Sequence, residues 1–134
     1  MEREDVVHVL RRVRRALVPG GVILDLQVIP PEPVILVDGA AICRLEGGSL
    51  LDDAAAAAAE VGAMVAQGLL REEAVDDHDV LHHYPSGRSL VEDFETRKRS
   101  VPAGTVALLA AIERPCIIRE SCRLRRLRRT AVDD

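Results

Sequence analysis

Aromatic side chains are almost missing from this sequence: its 134 residues include one tyrosine, Tyr84, one phenylalanine, Phe94, and no tryptophan. Single-stranded nucleic-acid binders commonly stack bases on aromatic platforms, so this scarcity argues against such a module. Long apolar runs are missing too, with nothing near the ~20 residues of a spanning helix. The first residues, Met1-Glu2-Arg3-Glu4-Asp5, are too acidic for a signal or transit peptide. The expectation is a soluble, cytoplasmic protein with no membrane partner.

Cysteine is sparse, and Cys43, Cys116 and Cys122 form no CxxC pair, while their odd number argues against a disulfide framework. Were 116–122 a strand, its two cysteines would sit roughly 20 Å apart, too far to bridge. Reduced thiols are expected. No G-x-S-x-G turn is present, nor a Cys/His pair close in sequence. The 18 basic and 22 acidic side chains leave a formal charge of −4, which gives no general attraction to nucleic acid or anionic membranes. No repeat and no long linker divides the chain, and 48% apolar residues suffice for one modest core, so 1–134 reads as a single domain.

Val6, Val9, Leu10, Val13 and Leu17 recur at helical spacing, with Arg11, Arg12, Arg14 and Arg15 on the remaining faces. Pro19-Gly20-Gly21 stops this helix, and residues 22–29 follow as an apolar, β-branched run interrupted only by Asp25 and Gln27. Such a run predicts a parallel strand covered on both faces. Residues 34–37 and 41–45 flank Asp38-Gly39 as a hairpin. Ser49, with Asp52 three residues on, caps an alanine-rich helix that Gly68 ends near Gln67. Gly47-Gly48 at that helix start is read as capping rather than anion binding.

Residues 70–84 read as a partly exposed strand. Ser86 or Ser89 caps a helix that carries Leu90, Val91, Phe94 and Val101, and Ser100-Val101-Pro102 starts a shorter one ending near Ile112. From Cys116 to Leu127 both periods fit: Cys116, Ile118, Cys122 and Leu124 alternate, with Glu120 as an exception, while Ile117, Ser121, Leu124 and Leu127 keep helical spacing.

The stretch from Val9 to Asp25, above all Arg15-Ala16-Leu17-Val18-Pro19-Gly20-Gly21, resembles the helix, Pro-Gly-Gly turn and strand that follow the fourth strand of class I (Rossmann-like) S-adenosylmethionine-dependent methyltransferases. Softer echoes are Tyr84-Pro85-Ser86-Gly87 and the Arg-Leu-Arg-Arg-Leu run at 123–127. The resemblance implies an α/β fold: the C-terminal strands of a partial Rossmann-like sheet, the last ones antiparallel, with flanking helices. It favours a strand for the final segment. In this family Pro19, Gly20 and Gly21 form a structural turn.

The family holds its cofactor on a glycine-rich turn after the first strand and an acidic residue ending the second, and neither occurs in these residues. The resemblance therefore implies a truncated or split methyltransferase, inactive alone. S-adenosylmethionine is implied by resemblance only and is not expected to bind this chain alone, and no catalytic, cofactor-binding or metal residue can be carried over. The expected partner is a second copy or a separately encoded N-terminal half that fills the strand edge at 22–29.

Two readings stand beside this one: a stand-alone dimerisation or protein-interaction module, and a weak nucleic-acid binder using Arg119, Arg123, Arg125, Arg126, Arg128 and Arg129. A solvated strand face is the plainer account of those arginines. His78, His82 and His83 with Asp76, Asp77 and Asp79 suggest a metal site only on a helix; on a strand His78 and His82 lie roughly 13 Å apart.

Overall fold

The computed structural model describes residues 3–46, 50–97 and 100–132. The chain is α/β, an open antiparallel five-stranded sheet with flanking helices. The order is α1 (Arg3–Ala16), β1 (Val22–Val28), β2 (Val34–Val37), β3 (Ala40–Arg44), α2 (Leu50–Ala66), β4 (Leu70–Tyr84), α3 (Gly87–Arg97), α4 (Thr105–Ala110) and β5 (Cys116–Arg129). It divides into two compact units, one of residues 1–29, 50–78 and 122–134, the other of residues 30–49 and 79–121.

In the first unit, β1 runs antiparallel to β5, with Val22 opposite Arg128 and Val28 opposite Cys122. This corrects the expected parallel strand. β4 also pairs with β5, and its contacts run in opposite order, Asp77 to Arg123 and Glu73 to Arg128. The last strand therefore runs antiparallel between β1 and β4. The expected cover on both faces of β1 is corrected as well: Ile23 packs in a core with Leu10, Val61, Met64 and Leu127, whereas Leu24 and Leu26 are 68% and 56% exposed. Helices cover the first face, and no described residue buries the second.

Ala54, Ala57, Val61 and Met64 form the buried stripe of α2 at spacings of three and four. Gly68, at φ 77°, ends that helix. The Leu69 N–H reaches the Met64 carbonyl and the Gly68 N–H the Val65 carbonyl, the paired bonds of a Schellman cap. Ser49, expected as the N-cap, lies with Gly47 and Gly48 outside the described residues. Periodicity placed the α1 arginines outward, yet Arg14 is fully buried. Its Nε donates to the Leu69 carbonyl at 2.9 Å and its Nη2 to the Val132 carbonyl.

In the second unit, Asp38 and Gly39, both at positive φ, make the two-residue turn between β2 and β3. β2 pairs in turn with β5, Val34 opposite Arg119 and Val37 opposite Cys116. The core gathers Ile35, Val37, Leu45, Leu90, Phe94, Leu109 and Ile118. Ser86 caps α3 by accepting from the Ser89 N–H at 3.2 Å. Val101 lies beyond the end of α3 rather than in it, but joins the same core. The short helix expected from 100–102 begins later, at Thr105 after Gly104 with φ 83°. Residues 116–129 are strand throughout, and Glu120 is buried like its even-numbered neighbours 116, 118 and 122.

Candidate functional site

The Pro19-Gly20-Gly21 turn seats the chain against the end of β5. Gly20, at φ 81°, donates to the Arg129 carbonyl, and the Arg129 N–H donates back to Gly21. A Cβ on Gly21 would come within 2.9 Å of the Val18 carbonyl oxygen. Both glycines therefore answer to geometry: one to its left-handed φ, the other to a close backbone approach. The turn fixes where β1 begins, and with it the depth at which Asp25 and Gln27 enter the sheet.

Those two polar residues line a groove of about 490 Å³ within the first unit. Val9 and Leu10 of α1 form one wall, and Leu50, Asp53, Ala54 and Ala57 of α2 another. The floor is the second half of β1, Asp25 to Val28. The Gln27 Nε2 donates to Asp25 Oδ1 at 2.9 Å. Asp25 and Gln27 lie opposite Arg125 and Arg123 in the β1–β5 register. Both arginines are engaged with β4: Arg125 Nε lies 3.6 Å from Glu72, and Arg123 bonds both Asp77 oxygens at 2.7 and 2.9 Å.

The basic run of β5 continues in this way. Arg126 and Arg128 donate to the two oxygens of Glu73 at 3.1 and 2.9 Å, and Arg71 reaches the same carboxylate at 3.3 Å. Hydrogen bonding from Arg128 first, with Arg126 and Arg71 adding to it, holds Glu73 down at about 2. The Arg123 guanidinium holds Asp77 below the usual carboxylate range and is itself raised by that partner. Four of the six arginines that sequence reading offered to phosphate, Arg123, Arg125, Arg126 and Arg128, are thus matched by acids of the neighbouring strand, while Arg129 donates to the Arg15 and Leu17 carbonyls. The basic run is legible in the sequence, but its pairing with Glu72, Glu73 and Asp77 is not.

The histidines do not converge. His78 Nδ1 lies 3.0 Å from Asp76, and His82 Nε2 lies 3.5 Å from buried Glu120. Among the described residues no group of three or more metal-ligating side chains comes together. Cys43, Cys116 and Cys122 are free thiols, and burial raises Cys43 and Cys116. No helix among the described residues is long and apolar enough to cross a membrane.

An S-adenosylmethionine site of the kind the resemblance implies needs a strand, a glycine-rich turn and a helix N-terminus in sequence. Here β1 leads into Pro30-Pro31 instead, and the Gly47-Gly48-Ser49 stretch ahead of α2 lies outside the described residues. Compared with protein-family models, with curated proteins and with solved structures, the chain gave no match.

Proposed function

We propose that this chain is the C-terminal half of a class I S-adenosylmethionine-dependent methyltransferase domain, and that the cofactor-binding half comes from outside these 134 residues. One observation carries the reading. After the helix and the Pro19-Gly20-Gly21 turn, the first unit runs β1, α2, β4 and β5, with the last strand antiparallel between the two earlier ones. A closing strand that runs antiparallel beside its neighbours is what the resemblance implies.

Two further features favour a missing complement. β1 ends the strand order, so its outer edge presents backbone groups with no partner among the described residues. Leu24 and Leu26 beside that edge are exposed. Methyl transfer mainly requires that a sulfonium methyl be held in line with a nucleophile. In this reading the chain supplies one wall of the acceptor site, from the end of β1, and the complement supplies the methyl donor.

The test is methyl transfer from tritiated S-adenosylmethionine by the native assembly isolated through a tag on this chain. Leu24→Glu with Leu26→Glu should release the cofactor-binding part and abolish transfer while the circular dichroism of the chain is kept. Unchanged assembly and transfer in that variant would contradict the reading.

The same edge favours a second reading, a dimerisation module in which two copies of β1 pair. Light scattering separates the two: a stable homodimer that the double variant turns into monomer, with no methyl transfer in the native assembly, supports the module.

A further inference from the structure

We propose that the groove between α1, β1 and α2 is a binding site for a small organic amine, an ammonium group carried on an apolar body. Its volume, about 490 Å³, falls in the range of small-molecule sites, which are mostly apolar with a few fixed polar groups. Leu10, Leu50 and Ala57 supply the apolar walls, and Asp25 and Gln27 the polar floor.

The charge of Asp25 selects the ligand. Asp25 is half-buried, and a carboxylate partly withdrawn from water is stabilised by a cationic partner. Inside the protein its hydrogen-bond partner is the Gln27 amide, which occupies Oδ1. The cations opposite it and Gln27 in the sheet are taken, Arg125 by Glu72 and Arg123 by Asp77. Oδ2 is thereby left to the groove, together with the Gln27 amide oxygen, as two acceptors two residues apart on one strand face. Asp53 adds negative charge on the opposite wall, although it has a partner of its own within the protein.

Two acceptors, one of them the free oxygen of the Asp25 carboxylate, disfavour carboxylates and phosphates and favour a cation. No aromatic ring among the described residues lines the groove, which disfavours the cages that bind quaternary ammonium through ring faces. A primary or secondary amine remains: its N–H groups donate to Asp25 and Gln27 while its carbon body lies along the two helices. This assignment does not rest on methyl transfer, and its test contains neither a methyl donor nor a partner chain.

The experiment is titration of the full 15N-labelled chain with phenethylamine, 2-phenylethanol and 3-phenylpropionate, read by amide chemical shifts. The amine should shift residues 25–28 and 50–57 in a saturable way, the alcohol should bind about tenfold more weakly, and the carboxylate should leave these residues unmoved. Asp25→Asn should weaken the amine by about tenfold and leave the alcohol unchanged. Equal binding of all three probes, or full amine affinity in Asp25→Asn, would overturn the site. The comparison on the unaltered chain stands even if that variant fails to fold. Nα-acetyl-lysine methylamide separates a free small molecule from a protein side chain, and tighter binding by it than by phenethylamine would overturn the small-molecule assignment.

Discussion

Arg123 grips Asp77 with both arms of its guanidinium, Nε to Oδ1 at 2.7 Å and Nη2 to Oδ2 at 2.9 Å. Farther along the same pair of strands, Glu73 takes Arg126 and Arg128 together. β4 carries no buried side chain from 71 to 77, so these bidentate and shared pairs, rather than apolar packing, are what side chains add there to the backbone pairing of β4 with β5. Exposed pairs are screened by salt.

Glu73→Gln combined with Asp77→Asn should therefore lower the melting temperature in low salt, and the difference from the parent chain should shrink in molar sodium chloride. Melting curves at the two ionic strengths measure this. An effect of the same size at both would assign the loss to packing instead.

The acid side of the stability profile follows from Glu73. Its ordinary value is 4.5, and its arginine partners hold it at about 2 in the folded chain. Because the folded value is the lower one, its contribution is complete above 4.5 and is lost as the pH falls through about 2. Glu73→Gln should flatten that part of the melting profile. An unchanged acid slope would mean that other carboxylates govern it.

The same pairing bears on nucleic acid. In the parent chain Arg123, Arg125, Arg126 and Arg128 are matched by Asp77, Glu72 and Glu73, so duplex DNA should not bind at moderate salt. Neutralising all three acids with Glu72→Gln, Glu73→Gln and Asp77→Asn should create weak binding that collapses with added salt. Fluorescence anisotropy of a labelled duplex reads both states, and salt-sensitive binding by the parent chain would contradict the pairing as drawn.

Two glycines carry unequal weight. A Cβ on Gly87 would meet the Leu109 carbonyl carbon at 2.8 Å and its oxygen at 1.7 Å, and both belong to backbone that α3 packs against. Gly87→Ala should cost about 3 kcal/mol. Gly20 has open space around its missing Cβ but a φ of 81°, so Gly20→Ala should cost about 1 kcal/mol through the backbone alone. Urea titrations give both values, and equal losses would refute the distinction.

What the sequence disclosed follows the range of the interactions involved. The turn at Asp38-Gly39, the stop at Gly68 and the Pro19-Gly20-Gly21 corner were legible because a turn needs only its own residues. Arg14 misled because helical spacing assigns it to the surface, while the carbonyls that bury it come from Leu69 and Val132, 55 and 118 residues away. Glu120 stood as an exception to alternation for the same reason: its neighbour His82 is on another strand. Exposure of Leu24 and Leu26 was hidden because a β-branched run looks alike whether one face is covered or two. The groove left a trace, Asp25 and Gln27 interrupting an apolar strand, but its walls are built by two helices that the strand cannot announce.

The most direct test of the methyltransferase-half reading is calorimetric titration of S-adenosylhomocysteine into the purified chain and into the native assembly isolated through it. The account predicts no heat of binding for the chain alone and saturable binding by the assembly. Binding by these 134 residues alone, or an isolated assembly with no capacity to bind it, would contradict the account.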